Sequence, residues 1–160
     1  MYSSRHSIAA LGACFALGAA LPALATPQPT RTAVNADAPM VVRLELASGK
    51  CGEGLCRRKY VINQAGLLRI TDQEGKTVDK LIAKEDLAAL VEQINSTDYK
   101  ALYANRTEGS CPSDSGGEDH TYTFYTARGS RMISNCAIKI DPTAQPFARF
   151  QEILSKYQPQ

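Results

Sequence analysis

A short segment with two closely spaced cysteines constrains the fold of this chain more than any other feature. Residues 49–60 read GKCGEGLCRRKY, so Cys51 and Cys56 bracket four residues, two of which are glycine. A second pair, Cys111 and Cys136, lies in the second half of the chain. Such an even number of cysteines is typical of a disulfide framework in an exported protein. The sequence therefore predicts a compact domain that is braced at two places.

Residues 1–25 have the features of an export signal. Arg5 supplies a positive start, the run Ile8–Leu21 is apolar and uncharged, and Ala23–Ala25 is a small-x-small cleavage site. Cleavage after Ala25 predicts a periplasmic or extracellular protein with no membrane span in its mature form.

Two alternatives remain open for this leader. The uncharged stretch is about as long as the roughly 20 residues that a membrane anchor needs. In addition, Leu11–Cys14 resembles a bacterial lipoprotein box, which would place a lipid on Cys14. Pro22 and the Ala-x-Ala ending favour cleavage over both alternatives.

Removal of the leader leaves four cysteines, and four cysteines allow three disulfide connectivities. We expect the local pairing, Cys51 with Cys56 and Cys111 with Cys136. A zinc site made of four thiolates is the rival interpretation. Its ligand pairs usually have the spacing Cys-x2–4-Cys, which only the first pair matches. We therefore predict two disulfides, no metal and no cofactor.

The charge of the mature chain excludes some classes of partner. The whole chain has 18 basic and 16 acidic residues, and the leader contains one basic residue, Arg5, so the mature formal charge is 17 − 16 = +1. A nearly neutral protein with no long block of one charge has no general attraction for nucleic acid. Residues 26–39 contain three prolines and few groups that pack, which predicts a flexible tether. Residues 40–160 are then long enough for one domain.

Hydrophobic periodicity predicts an α+β fold in that domain. Alternating apolar residues indicate strands, and apolar residues at helical spacing, such as Leu87, Leu90, Val91 and Ile94, indicate helices. The predicted order is ββββ-α-ββ-α, an antiparallel sheet with helices packed on one face. The first predicted strand begins at Met40 and ends at Ser48–Lys50. The other predicted strands span Arg58–Asn63, Leu67–Thr71, Thr77–Leu81, His120–Thr126 and Arg131–Ile138. The predicted helices span Lys84–Asn95 and Pro146–Tyr157, and a long loop is predicted over Asn105–Asp119.

No motif in the sequence defines a catalytic site. His120 is the only histidine of the mature chain, and its neighbour Asp119 should point to the opposite face of a strand, so the two do not form a dyad. The acids and glycines of Asp114–Asp119 superficially resemble a calcium loop, but their spacing does not provide the six to eight oxygens of such a site. A solvated turn is the better interpretation.

The first cysteine loop is the best candidate for a contact surface. A short closed loop is ordered before it binds, and arginine is enriched at contact hot spots. The hypothesis assigns binding to residues on and beside the loop: Lys50, Glu53, Leu55, Arg57 and Arg58. The alternative is that basic residues here only prevent unwanted pairing of an edge strand.

The pattern Gly49-x-Cys51-x4-Cys56-x3-Tyr60-x-Ile62-x3-Gly66-x-Leu68, followed by a helix and Asp98-Tyr99, resembles a family of uncharacterised bacterial secreted and lipoprotein domains whose first hairpin carries paired cysteines. The resemblance covers residues 41–102 and implies no catalytic residue. Together with the loop, it favours a non-enzymatic binding or envelope-associated module whose partner is another envelope or secreted protein. A secreted protease inhibitor and a small hydrolase are the alternatives.

Overall fold

The computed structural model describes residues 35–51 and 54–158, with residues 50, 51, 54 and 55 described by their backbone alone. The predicted leader, its cleavage site, the lipoprotein box and residues 26–34 of the predicted tether lie outside the described residues. So do the side chains of Lys50, Cys51, Glu53 and Leu55.

Six strands form one antiparallel sheet, which confirms the predicted α+β class. The sheet order is β4-β3-β2-β1-β5-β6, so the first strand lies in the interior, between β2 and β5. The strands are β1 (Met40–Cys51), β2 (Gly54–Asn63), β3 (Leu67–Thr71), β4 (Thr77–Leu81), β5 (Glu118–Thr126) and β6 (Gly129–Ser134).

The α-helices cover one face of the sheet, which we call the helix face. They are α1 (Lys84–Ser96), α2 (Tyr99–Ala104) and α3 (Phe147–Tyr157). Alternate residues of the strands, such as Leu44 and Phe124, are fully buried against Leu90, Ile94 and other helix residues. The opposite face, the open face, carries mainly half-buried and exposed side chains. The alternation predicted for β1 and β5 is therefore confirmed.

An aromatic cluster forms the centre of the core. Tyr122 and Phe124 of β5 stack with ring centroids 5.7 Å apart, and Phe147 packs edge-on to Tyr122 at 4.9 Å. Phe150 also lies edge-on to Tyr122. Burial of each such side chain contributes about 2–3 kcal/mol. The last helix is therefore held on β5 by its aromatic stripe.

A carboxylate links the first and last helices. Asp86 of α1 accepts hydrogen bonds from Lys156, Tyr157 and Arg149 of α3, all at 2.8 Å. The hydrogen bonds from Lys156 and Tyr157 lower the pKa of Asp86. The acidic first turn of α1 thus serves to fasten the C-terminal helix.

Asn63 joins residues 35–39, which the sequence assigns to the tether, to the β2–β3 turn. Its buried amide donates to the carbonyl of Asn35 and accepts from the backbone N–H groups of Ala65 and Leu67. Gly66 has φ +78°, a conformation that glycine adopts without strain. The segment before β1 is thus fixed to the sheet from Asn35 onward.

Several predicted boundaries were wrong, for identifiable reasons. The first strand continues past Ser48 to Cys51 because Gly49, at φ +53°, accommodates an irregularity in the β1–β2 register, and β2 begins at Gly54 instead of Arg58. The predicted loop contains a 3-10 turn at Pro112–Ser115.

The last strand is shorter than predicted because the side chain of Asn135 takes the place of backbone hydrogen bonds that would continue the β5–β6 pairing. Asn135 accepts from the N–H of His120 at 2.8 Å and donates to the carbonyl of Glu118 at 3.0 Å, and the chain turns there. Strand β6 therefore ends at Ser134 and does not reach Ile138.

The predicted pairing of Cys111 with Cys136 is confirmed. It is the one disulfide for which both side chains are described. Cys56 is also disulfide-bonded, but its partner is not among the described side chains. The bond between Cys51 and Cys56 therefore stays a prediction.

Candidate functional site

The first hairpin extends beyond the strands on both sides of it. Strand β1 pairs with β5 only as far as Ser48, and β2 pairs with β3 only from Lys59 onward. The β1–β2 pairing itself continues to Cys51 and Gly54. We call residues 49–51 and 54–58 the arm: residues 54–58 extend past β3, and residues 49–51 and 54–55 extend past β5 as well. Among the described residues, Gly54–Arg58 have no strand beside them on the β3 side.

Three polar side chains, those of Arg58, Glu118 and His120, hold the base of the arm to β5. An Nη2 atom of Arg58 lies 2.8 Å from one oxygen of Glu118, and Nε2 of His120 lies 3.0 Å from the other. The sheet register explains the arrangement. Arg58 and His120 both pair with Leu46, so they share the helix face with it, and Glu118 precedes His120 by two residues on the same face.

This cluster lies just past the end of the helix cover. On β5 the next residue of the same face, Tyr122, still accepts a hydrogen bond from Gln151 of α3. The side chains of His120 and Glu118 are each about one-third exposed, at 34% and 28%. The three side chains therefore link β2 to β5 at the border between core and solvent.

The carboxylate of Glu118 is ionised in this arrangement. Its partial burial favours the neutral form, but the hydrogen bonds from Arg58 and His120 outweigh burial and lower its pKa. The hydrogen bond to Glu118 in turn raises the pKa of Arg58. The pair therefore stays charged at neutral pH and acts as a clamp on the base of the arm.

The predicted binding residues divide between the two faces. Arg57 is exposed and pairs with Ala47 on the open face, whereas Arg58 lies on the helix face and is held by Glu118. Lys59 shares the open face with Arg57, since the two are two residues apart on the same strand. Both line a groove of about 450 Å³ together with Glu45 and Thr121. Of the remaining candidates, Lys50 and Leu55 belong to the arm and Glu53 lies between its two strands in the sequence; the side chains of all three lie outside the description.

The acids of the predicted turn are used separately. Asp119 faces away from His120, as predicted, and accepts hydrogen bonds from the backbone and hydroxyl of Ser113 at 2.9 and 2.6 Å. Glu118 is engaged by Arg58, and Asp114 is exposed. These three carboxylates do not converge on one point.

Only one group of possible metal ligands occurs in the described part of the chain, namely Cys111, Asp119 and Cys136. Both sulfur atoms are used in the disulfide, which leaves one carboxylate. In the same part of the chain, no hydroxyl or thiol group is hydrogen-bonded to His120.

Sequence reasoning missed the partnership of Glu118 with His120 and Arg58. Glu118 and His120 are two residues apart in β5. This spacing was a usable signal for their contact, since residues i and i+2 of a strand share a face. The pairing with Arg58 depends on β1 lying between β2 and β5, which local periodicity does not indicate.

Comparison of the chain with protein-family models and with curated proteins found no match. Among the described residues, no helix is both long enough and apolar enough to cross a membrane. The interpretation of the site therefore depends on its geometry.

Proposed function

We propose that the protein is an exported, disulfide-braced, non-enzymatic binding module of the cell envelope or the extracellular space, and that it contacts its partner through the arm. The contact residues would be Lys50, Glu53, Leu55, Arg57 and Arg58. The observation that supports this most is the projection of the β1–β2 hairpin beyond β3 and β5.

The arm is suited to binding because little of it has to be ordered on contact. The clamp of Arg58 on Glu118 fixes its base, and Cys56 within it is disulfide-bonded, by our prediction to Cys51. A preordered surface keeps more of its interaction energy as affinity. A projecting rigid hairpin can therefore bind with a small contact area.

Charge indicates what kind of surface the arm would meet. Arg57 and Lys59 are exposed on the open side, and Lys50 adds a third positive charge in the sequence. Glu53 is the acidic residue of the segment. Complementary charge speeds association and selects partners. We therefore assign to the partner an acidic patch on another exported or envelope protein.

Export itself remains part of the proposal. The bond between Cys111 and Cys136 supports it, because structural disulfides persist in oxidising compartments. Mass analysis of protein from the producing cell should find a chain that begins at Thr26 and a non-reduced peptide that links Cys51 to Cys56. A retained leader, a lipid on Cys14 or a peptide that links Cys51 to Cys111 would contradict this.

Capture from envelope extract tests the role of the arm. The parent, a Leu55→Ala/Arg57→Ser variant and a matched Leu81→Ala/Lys80→Ser control should be immobilised, and any captured protein purified and titrated against all three. Leu81 and Lys80 are both exposed on β4, and Lys80 lies level with Ile62, at the end of β2 that is remote from the arm. We expect the arm variant to bind at least about tenfold more weakly, and salt to weaken parent binding. Equal binding by the parent and the arm variant would place the contact elsewhere.

A secreted protease inhibitor is the second candidate, and the exposed edge of Gly54–Arg58 favours it. An extended strand with a free edge can pair with another chain. Titration against a protease that cleaves after basic residues separates the two functions. Stoichiometric inhibition with Arg57 and Arg58 left uncut would favour an inhibitor, whereas rapid cleavage of the arm would exclude it.

A further inference from the structure

A cleft at the opposite end of β5 concentrates positive charge. It has a volume of about 740 Å³ and is bordered by the end of α1, by α2 and by the β5–β6 turn. Its charged lining consists of Lys100, Arg128, Arg131 and Asp98, a net formal charge of 3 − 1 = +2. The open-face groove, by contrast, has three cations and three acids, so it has no net charge.

The single acid of the cleft already has a structural role. One carboxylate oxygen of Asp98 accepts from the backbone N–H of Ala101 at 3.1 Å and caps α2. None of the three cations forms an ion pair with another described residue. The guanidinium of Arg131 makes only a long contact, 3.3 Å, with the carbonyl of Ser130.

Two tyrosines form walls of the cleft without adding negative charge. The hydroxyl of Tyr99 donates to the carbonyl of Ile94, and that of Tyr103 donates to the carbonyl of Met132, both at 3.0 Å. Burial raises the pKa of Tyr99 to about 12, so it is neutral at physiological pH. Both tyrosine hydroxyls are therefore already used as donors within the protein, whereas the three cations have no ion-pair partner among the described residues.

We propose that this cleft binds a small ligand through an oxyanion group, that is, a phosphate, a sulfate or a carboxylate. Guanidinium groups match such oxyanions with paired hydrogen bonds, and Lys100 adds a third charge from α2. Arg131 is carried by a strand and Lys100 by a helix, so two of the three donors have rigid supports. The partially exposed ring of Tyr103 provides apolar contact for the remainder of the ligand. The proposal does not depend on the arm or its partner.

Titration of the folded exported chain with inorganic phosphate, sulfate and citrate tests the site. Ionic strength should be held constant with sodium chloride, and amide NMR spectra should be recorded. We expect saturating shifts at Lys100, Tyr103, Arg128 and Arg131 and none at Arg58 or Glu118. The relative affinities of the three anions identify the preferred oxyanion.

Two double variants with the same charge change control for general electrostatics. Arg128→Gln/Arg131→Gln should weaken anion binding by about tenfold or more, because it removes two charged donors. Lys80→Gln/Lys139→Gln, at exposed sites outside the cleft, should leave it unchanged. Equal losses in both variants, or equal shifts with chloride alone, would overturn the proposal. If the arginine double variant does not fold, Arg128→Gln alone, in the exposed turn, must still weaken binding.

Discussion

The two ends of β5 use arginine in opposite ways. At the arm, Arg58 lies 2.8 Å from Glu118, whose second oxygen is held by His120. At the cleft, Arg128 and Arg131 have no carboxylate partner among the described residues. Among the described residues, Arg58 therefore has an ion-pair partner, whereas Arg128 and Arg131 have none.

This contrast separates charges that brace from charges that are free to bind. A paired cation gains little from a new ligand, because it must first lose its present partner. An unpaired cation near the surface has to give up only bound water when it contacts a ligand. In the arm, the arginine charge available to a partner is consequently that of Arg57 and not that of Arg58, whereas in the cleft the charges of both arginines are available.

Loss of the disulfide should produce the largest effect. Cys111 and Cys136 close a loop with a sequence separation of 25, for which chain entropy predicts a stabilisation of about 3–4 kcal/mol. A Cys111→Ala/Cys136→Ala variant should lose about this much in denaturant unfolding. Hydrogen exchange should quicken most around Glu118 and Asp119, next to the tied loop, and least around the cleft. Uniform loss of protection at both ends of β5 would show that the ends are not independent.

Removal of the clamp should have a smaller effect that depends on pH. Glu118→Gln should cost about 1 kcal/mol at neutral pH, since the carboxylate and its partners are partly exposed. The folded pKa of Glu118 is lower than its ordinary value of 4.5. The stabilisation by the Glu118 carboxylate is therefore complete at pH values above its ordinary pKa, and it is lost as the pH falls through the pKa of the folded state.

The measurement is the difference in unfolding free energy between parent and variant over a pH series. Glu92→Gln, at an exposed position of α1, is the matched control and should show little difference at any pH. A Glu118→Gln penalty that persists in strong acid would mean that the side chain acts through packing and not through its charge.

Substitutions in the cleft should have the smallest effect on stability. Arg128→Gln should change the unfolding free energy by no more than about 0.5 kcal/mol, because the side chain is exposed and has no ion pair to lose. Thermal unfolding without added anion measures this. A large destabilisation would show that Arg128 has a structural partner and would remove the contrast with Arg58.

Local patterns predicted the elements well, and the exceptions have physical causes. The alternation in β1 and the stripe of α1 follow directly from burial on one face. The ends of β1 and β6 were wrong because Gly49 and the side chain of Asn135 change the hydrogen bonding there. Helix α2 is only six residues long, too short for periodicity, although Asp98 was an available capping signal.

The candidate sites were less predictable than the fold. The cleft combines residues 95–103 with residues 126–131, which come together only through packing of the helices on the sheet. The clamp joins Arg58 to Glu118, 60 residues apart, across β1. The cysteines and glycines of the arm are local features that drew attention to this segment, but the sequence predicted a loop where the structure has paired strands.

Arginine side-chain NMR tests the contrast most directly. The motional order of the Nε–H group of Arg58 should be high and insensitive to added phosphate, because Glu118 holds its guanidinium. The order at Arg128 and Arg131 should be low in the free protein and should rise as phosphate is added. An Arg58 side chain as mobile as Arg128, or cleft arginines already ordered without anion, would contradict the account.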